Sequence, residues 1–131
     1  MSQDVETIRQ FFEAMSRLDP DAACSLASEG YESSIARSVS LGLVQRRVRG
    51  RDGLRGRIEE LAEGWPIYEI DFTVEPRGAV FLVRGRYAAY QDRHGGHDAP
   101  FVSVVRLDDE GKVSTILSCG SEREAGRALA L

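Results

Sequence analysis

The sequence has few of the residues that build disulfide frameworks, metal centres and membrane spans. Its 131 residues include two cysteines and two histidines, and the cysteines stand in neither a CxxC nor a Cys/His spacing. No apolar run approaches the roughly 18 residues of a membrane span, and acids occupy the N-terminus where a secretory signal is apolar. We therefore expect a cytoplasmic protein with free thiols, no metal and no membrane contact.

Lysine is almost absent, because 16 of the 17 basic side chains are arginine. Six arginines lie within residues 44–61, in VQRRVRGRDGLRGRIEEL. The formal net charge of −4 and the acids on both sides of this run argue against nucleic-acid binding, which calls for a basic footprint. The run is predicted to be a loop, a helix cap and a solvated helix face. Arg55 can pair with Glu59, and Arg57 with Glu60.

Helical periodicity dominates the first half of the chain. Apolar residues recur at helical spacing over residues 4–17, which predicts an amphipathic helix. An Asp-Pro pair at residues 19–20 predicts the start of a second helix, which Gly30 would end. Asp52 similarly predicts the cap of a third helix, which Gly64 would end.

After residue 65 the apolar pattern changes to a period of two, which is typical of strands. The segment IYEIDFTV alternates polar residues with apolar ones, namely Tyr68, Ile70, Phe72 and Val74. Segments 79–91, 98–107 and 112–119 are rich in β-branched and aromatic residues and are joined by turn sequences, which predicts two antiparallel hairpins. The sequence SERE predicts a capping box from Ser121 to Glu124 for a short final helix. Together these elements indicate an α+β fold in a single domain, 1–131.

Three stretches resemble the SnoaL-like, ketosteroid-isomerase-like branch of the nuclear transport factor 2-like superfamily. They are DVETIRQFFEAMSRLDPDAACSLASEGYE, VRGRDGLRGRIEELAEGW and APFVSVVRLDDEGKVSTILS, and the likeness covers nearly the whole chain. The resemblance implies a cystatin-like α+β barrel: a cone-shaped, curved and mostly antiparallel mixed sheet, wrapped around a pocket by three N-terminal helices. A short strand, 31–36, would pair at the edge of that sheet.

The resemblance implies a range of activities and no single reaction. Members of the superfamily are isomerases, dehydratases, polyketide cyclases and epoxide hydrolases, and others only bind ligands. Ketosteroid isomerases use an Asp base with an oxyanion hole of a Tyr and a protonated Asp. The positions matching those three residues hold Ser34, Glu13 and Ser103, which argues against steroid isomerisation by that mechanism.

Glu32 is the candidate catalytic acid or base. It alternates with Ser34, on the strand face that carries the base in the resembling isomerases. Among aromatic and aliphatic neighbours its carboxylate would be desolvated, which would raise its pKa. The alternative is a structural role, in which Glu32 pairs with Arg37 or another arginine at the sheet edge.

Ser103 is the second candidate catalytic residue, as a hydrogen-bond donor in the pocket. The expected substrate contacts are Phe12, Ser34, Trp65, Tyr68, Phe101, Ile116 and Ser118. Apolar walls with a few polar groups are typical of small-molecule pockets. The alternative for Trp65 and Phe101 is a place in the hydrophobic core.

Two features of the hairpin formed by segments 79–91 and 98–107 have ordinary structural explanations. His94 and His97 flank a Gly-Gly pair, which favours a hairpin turn over a metal site. Arg84 and Arg86 are placed outside the cone, because the register with Phe81, Val83 and Tyr87 inward buries more apolar area.

We expect a protein that binds a small apolar molecule without a cofactor. The enzymatic form of this expectation is an isomerase, cyclase or dehydratase that acts on a carbonyl-bearing or polyketide-like substrate. The alternative is a ligand-binding or scaffold protein of the same fold. We also expect a homodimer, because a monomer would expose an apolar sheet face. The residues of that face are Val102, Val104, Leu117 and Cys119.

Overall fold

Four helices and six strands make up the parts of the chain that the computed structural model describes, residues 3–35, 47–64, 67–91 and 95–130. In chain order they are α1 (Gln3–Ser16), α2 (Pro20–Leu26), β1 (Ala27–Ile35), β2 (Arg47–Arg49), α3 (Gly50–Gly64), β3 (Ile67–Arg77), β4 (Val80–Gln91), β5 (Gly95–Leu107), β6 (Val113–Cys119) and α4 (Glu122–Ala130).

The strands form one sheet in the order β2-β1-β6-β5-β4-β3. Strands β3 to β6 form an antiparallel meander, β2 pairs antiparallel to β1, and β1 pairs parallel to β6. The sheet is therefore mixed and mostly antiparallel, and the expected α+β class is confirmed. We call the sheet face that packs against α1, α2 and α3 the inner face, and the opposite one the outer face.

The inner face carries the main hydrophobic core. Its fully buried residues come from all three helices and from the central strands; they include Ile8, Phe11, Leu54, Ile58, Val83, Val105 and Val113. At its centre the Phe12 ring lies 5.4 Å from the Phe72 ring and 6.2 Å from the Phe101 ring, measured between centroids. The Ile70 amide donates to Ser16 Oγ at 3.2 Å, which ties the end of α1 to β3.

The outer face carries a smaller apolar layer, which α4 covers. Its buried members are Val80, Leu82, Val102, Val104 and Cys119, with Leu117 packed beside them. Ala125 of α4 is only 1% exposed and belongs to the same cluster. The premise of the predicted dimer was therefore wrong: these side chains are covered within one chain. The dimer itself is untested.

Helix boundaries follow the predicted caps in part. Asp19 caps α2 as expected, and its Oδ1 accepts a hydrogen bond from the Ala22 amide at 3.2 Å. Gly30 does not end that helix, because β1 already begins at Ala27. The third helix begins at Gly50, whose φ of 72° favours glycine, so the prediction of Asp52 as its cap was wrong.

The capping box of the last helix is confirmed in one half. The Glu124 amide donates to Ser121 Oγ at 3.2 Å. The Glu124 carboxylate reaches back to the Gly120 amide at 2.8 Å, one residue earlier than the standard box.

The arginine run connects elements that are distant in sequence. Arg47 pairs with Glu32 across β2 and β1. Arg51 Nε donates to the Ala27 carbonyl at 3.0 Å, which ties the start of α3 to the start of β1. Arg55 pairs at 2.7 Å with Asp21 of α2, not with Glu59 on its own helix. The arginines of this run thus hold α2, β1, β2 and α3 together, which the prediction of a solvated helix face missed.

The register of β4 confirms the expected orientation of its arginines. Phe81 and Val83 pack in the inner core, and Leu82 packs in the outer layer. Arg84 and Arg86 share the outer parity with Leu82. Arg84 pairs with Glu75 at 3.3 Å and with Glu122 of α4 at 3.1 Å, which helps to fix α4 on the outer face.

Candidate functional site on the inner sheet face

Ser103 and Ser118 place two hydroxyl groups in the middle of the inner face. They lie opposite each other on β5 and β6, and their Oγ atoms are 3.2 Å apart. Ser103 is 2% exposed, whereas Ser118 is half-buried. We call these two residues the hydroxyl pair. The structure brings them together because both strands alternate with the same parity and pair in this register.

The hydroxyl pair lies in a row of otherwise apolar side chains. Reading across five neighbouring strands, the register aligns Ile35, Ser118, Ser103, Val83 and Val74. Ile116, the next inward residue of β6, is also buried. A polar group buried among such neighbours is costly unless it is hydrogen-bonded, and here the two serines satisfy each other.

Three aromatic side chains of the inner face are not fully buried. Phe72, Tyr87 and Phe101 are half-buried, although their strand parity directs them toward the helices. Gly85 separates Phe72 from Phe101 in the register, and Phe12 contacts both of those rings. Phe12 is more buried than either partner, so it packs as core, while the other two rings stay partly exposed.

Tyr87 has a second feature of a pocket residue. Burial raises the pKa of its hydroxyl, and the negative charge of Asp98 raises it further. The side chain therefore stays protonated and can donate a hydrogen bond near the aromatic wall. Sequence analysis placed Tyr87 inward but did not propose it as a site residue.

Tyr31 and Ser33 form another polar group on the inner face, which sequence analysis missed. Tyr31 is 3% exposed and packs against Phe11 at a centroid distance of 5.9 Å. Burial raises the pKa of Tyr31 to about 12, although a side-chain hydrogen bond with Ser33 acts in the opposite direction. Ser33 lies opposite Ile116 of β6 and Val48 of β2, both of which belong to the inner core.

Glu32 and Ser34 lie on the outer face, contrary to the prediction. Tyr31 is buried in the inner core, so its neighbour Glu32 has the opposite parity. Glu32 pairs in register with the exposed Thr115, and Ser34 pairs with Leu117, which packs in the outer layer. The expected approach of these two side chains to the pocket was therefore wrong.

The electrostatic environment of Glu32 is also opposite to the expected one. Its Oε1 accepts from Arg47 Nε at 2.9 Å and from the Nη2 of the same residue, and Arg49 Nε lies 3.9 Å from its Oε2. The hydrogen bond from Arg47 lowers the pKa of Glu32, which was expected to be raised. The side chain is 37% exposed. These contacts match the alternative, structural role.

Two predicted aromatic contacts cannot be placed. Trp65 lies outside the described residues. Tyr68 belongs to β3 and pairs in register with Ala89, but its side chain lies outside the described part of the structure. His94 also lies outside it, between β4 and β5, which form the predicted hairpin.

A separate hollow of about 470 Å³ lies away from the hydroxyl pair, beside the N-terminal end of α1 and the β5–β6 turn. Its lining is mostly polar and includes Asp4, Thr7, Asp109 and Lys112. Lys112 Nζ already donates to the Ser25 carbonyl at 2.9 Å. Within the described ranges, no group of three or more His, Cys, Asp or Glu side chains could hold a metal ion. Nor is any helix there long and apolar enough to cross a membrane.

Comparison with known proteins identifies the fold through structure alone. No protein-family model matches the sequence, and no curated protein does. A nuclear transport factor 2-like protein of unknown function from Burkholderia pseudomallei is 19% identical, with a TM-score of 0.76 and 97% of each chain covered.

Two further solved structures show how varied the neighbours are. TerC, co-crystallised with polyporic acid, is 15% identical with a TM-score of 0.75, covering 96% of this chain and 97% of its own. An epoxide hydrolase from M. tuberculosis is 13% identical with a TM-score of 0.70, covering 97% of this chain and 84% of its own. At such identities the likeness establishes the fold and no reaction. The chain has the fold of the nuclear transport factor 2-like superfamily, as its sequence resemblance implied.

Proposed function

We propose that the protein binds a small, largely apolar molecule on the inner face, through a carbonyl or hydroxyl oxygen that meets the hydroxyl pair. The single observation that carries this proposal is the position of Ser103 and Ser118, two hydroxyls side by side in an apolar layer. Apolar pockets with a few convergent polar groups are the usual sites for small molecules.

The hydroxyl pair can form a hydrogen bond with a ligand in addition to, or in place of, the bond between the two serines. Its O···O distance of 3.2 Å is longer than the 2.7–2.8 Å typical of hydroxyl hydrogen bonds, so the mutual bond is weak. Two hydroxyls carry two protons, and their mutual bond uses one of them. The other proton can be donated to a ligand oxygen while both serines stay satisfied.

The described side chains favour binding over acid–base catalysis. General acid–base catalysis needs a carboxyl, imidazole or similar group beside the reacting atom. Glu32, the candidate for that role, lies on the outer face in an ion pair. Among the described sheet side chains, no carboxylate or imidazole lies beside the hydroxyl pair. The neighbour co-crystallised with polyporic acid supports the capacity of this fold to hold an aromatic, oxygen-bearing molecule.

The test uses two probes of nearly equal size. Benzophenone carries a carbonyl group, and diphenylmethane has a methylene group in its place. We expect wild type to bind benzophenone more tightly, by about 2- to 12-fold, which corresponds to the 0.5–1.5 kcal/mol of a net hydrogen bond. Titration calorimetry measures both affinities.

Matched variants assign the preference to its residues. Ser103→Ala and Ser118→Ala should reduce the preference for benzophenone and leave the affinity for diphenylmethane unchanged. Thr115→Ala is the control, because Thr115 lies on the same strand, β6, but is exposed on the outer face. Equal binding of the two probes by wild type, or no binding of either, contradicts the proposed function.

A further inference from the structure

The hollow beside the N-terminal end of α1 has the size of a small-molecule site. Its volume of about 470 Å³ lies within the roughly 300–1,000 Å³ typical of ligand pockets. Three parts of the chain line it: the N-terminal half of α1, Leu26 at the end of α2 and the β5–β6 turn. It shares no lining residue with the hydroxyl pair, so it is a separate feature of the molecule.

The lining of the hollow is negatively charged. Its carboxylates belong to Asp4, Asp109 and Glu110, and Lys112 is the cationic side chain among the lining residues, which leaves a net charge of −2. The positive end of α1 adds about half an elementary charge, which does not reverse the sign. The hollow therefore favours a cation over an anion.

The carboxylates of the hollow are not neutralised within the described part of the chain. None of the three forms an ion pair or a side-chain hydrogen bond there, whereas Asp21 and Glu75 elsewhere pair with arginines. Lys112 does not pair with them, because its Nζ donates instead to the Ser25 carbonyl at 2.9 Å. All three carboxylates can therefore accept hydrogen bonds from a cationic ligand.

Thr7 gives evidence for a ligand that is independent of these charges. This residue is only 8% exposed, and it lines the hollow. Among the described residues its Oγ1 has no hydrogen-bond partner, whereas Ser25 Oγ of α2 donates to the Ala22 carbonyl at 2.7 Å. Buried hydroxyl groups are nearly always hydrogen-bonded, so the expected partner of Thr7 is a group inside the hollow.

The wall that carries Asp109 and Glu110 is held in place by its own turn. Asp108 Oδ1 accepts from the amides of Glu110 and Lys112, each at 2.9 Å, and the Gly111 amide donates to the Asp108 carbonyl at 3.0 Å. The φ of Gly111 is 79°, a conformation that favours glycine. A preformed wall lowers the entropy that binding costs.

We propose that this hollow binds an aliphatic diamine or polyamine. Two ammonium groups match the net charge of −2, and the methylene chain between them lets one molecule reach carboxylates that lie apart. A single metal ion fits less well, because the described residues include no group of three or more His, Cys, Asp or Glu side chains that could hold one. Thr7 accepts a hydrogen bond from an ammonium group. The site is independent of the proposed function.

The test compares probes of similar length at pH 7. 1,4-Diaminobutane carries two positive charges, 1-aminobutane carries one, and 1,4-butanediol carries none. We expect the diamine to bind about 5-fold more tightly than the monoamine, the upper end for an exposed ion pair, and the diol not to bind. Titrations followed by amide chemical shifts measure the affinities, and the shifted amides should be those of Thr7 and the β5–β6 turn. Added salt should weaken the binding.

Matched variants assign the binding to the lining of the hollow. Glu110→Gln removes one carboxylate and should weaken diamine binding about 5-fold. Glu13→Gln is its control, because it removes the same charge from an exposed position near the other end of α1 and should leave the affinity unchanged.

Thr7→Val removes the hydroxyl and should weaken diamine binding by about 2- to 12-fold, the effect of one net hydrogen bond. Thr7→Ser keeps the hydroxyl and should bind the diamine nearly as well as wild type. If Thr7→Val does not fold, Glu110→Gln decides, because Glu110 is exposed and its replacement leaves the core intact.

The proposal is overturned if the diamine does not bind, or if the diol binds as well as the diamine. It is also overturned if the shifted amides lie away from the hollow, or if Glu13→Gln weakens binding as much as Glu110→Gln does. None of these outcomes bears on the hydroxyl pair, because benzophenone affinity should be the same in wild type and in Glu110→Gln.

Discussion

The two faces of the sheet differ in how their polar groups are used. On the inner face, hydroxyls lie singly or in pairs among buried apolar side chains, and several aromatic rings stay partly open. On the outer face, several charged groups are paired with one another, as Arg47 is with Glu32 and Arg86 is with Asp98. The apolar residues of that face are closed off by α4.

Under the proposed function, this difference separates a surface used for recognition from one used for assembly of the fold. Ion pairs satisfy several of the outer charges within the chain. The inner hydroxyls use only part of their hydrogen-bonding capacity, because two hydroxyls have two protons and four lone pairs. A ligand therefore gains more from meeting the inner face than from meeting the outer one.

The largest expected effect concerns the space between the aromatic side chains of the inner face. A Cβ at Gly85 would lie 1.9 Å from the Asp71 carbonyl oxygen and 2.7 Å from Phe72 Cα, so the backbone itself would have to move. We expect Gly85→Ala to destabilise the protein by about 3 kcal/mol, the upper part of the usual range for overpacking. Urea unfolding measures the change.

Gly126→Ala on α4 is its control, because a Cβ there meets nothing within 4 Å. The same substitution should stabilise a helix interior by about 0.5–1 kcal/mol. If both substitutions destabilise the protein by similar amounts, the close approach of the backbone at Gly85 does not explain the loss of stability.

The second prediction tests the closure of the outer face by α4. Ala125→Asp places an unpaired charge at a position that is 1% exposed, against the apolar layer. Opening of α4 should become easier by about 2 kcal/mol, within the range of such changes, or roughly 30-fold in the population of the open form. Faster tryptic cleavage after Arg123 and Arg127 reports that opening.

Gly126→Asp introduces the same charge at the exposed neighbouring position and should leave cleavage slow. Sedimentation of Ala125→Asp also tests the outer layer as an interface. If α4 shields an apolar surface, its displacement should increase self-association. Unchanged cleavage in Ala125→Asp would mean that α4 does not cover this layer.

The third prediction follows from the buried hydroxyl of the inner face. The pKa of Tyr31 is raised to about 12 in the folded protein. The stability that the protonated tyrosine contributes is therefore fully present below the ordinary tyrosine pKa. This effect is lost as the pH rises toward 12. At pH 11 the loss should be about 1.4 kcal/mol relative to neutral pH.

Tyr31→Phe lacks the ionisable group and should lose less stability over the same pH interval. The free energy of unfolding of both proteins at pH 8 and pH 11 gives the comparison. An identical alkaline decrease in the two would show that Tyr31 does not titrate with a raised pKa.

The smallest effect is expected at Glu32 on the outer face. Its pKa is lowered by Arg47, so the pair contributes stability above the ordinary carboxyl pKa, and this contribution is lost as the pH falls through the lowered value. Glu32→Gln should therefore lower the melting temperature slightly at pH 7 and flatten its decrease in acid. Ligand affinity should not change. Weaker benzophenone binding in Glu32→Gln would show that Glu32 contributes to the binding site.

Local sequence patterns predicted the elements whose formation depends on residues close to one another in the sequence. The amphipathic α1, the period of two after residue 65 and the Asp19 cap all depend on neighbours within a few residues. The inward parity of β4 was predictable for the same reason, since Phe81 and Val83 alternate with Arg84. The resemblance supplied the overall arrangement of the sheet.

The first strand shows where this reasoning failed. Taking Gly30 as a helix terminator hid the start of β1, and the choice of inner residues then followed the resembling isomerases. The sequence did contain the correct signal: Tyr31 and Ile35 are the large apolar residues of the strand, and they alternate with Glu32 and Ser34.

Other features depend on contacts that sequence spacing cannot supply. Arg55 has a partner four residues away on its own helix, yet it pairs with Asp21, because α2 packs beside α3. The packing of α4 on the outer face could not be predicted either, since its short apolar side could have packed against any exposed apolar surface.

The most direct test of the central claim is the carbonyl stretching frequency of bound benzophenone labelled with carbon-13 at the ketone. A hydrogen bond to the ketone oxygen lowers this frequency. In wild type we expect a downshifted band, which should move toward its value in an apolar solvent when Ser103 and Ser118 are both replaced by Ala. A band in wild type that already matches the apolar solvent, or a downshift that persists in the double variant, would contradict recognition by the hydroxyl pair.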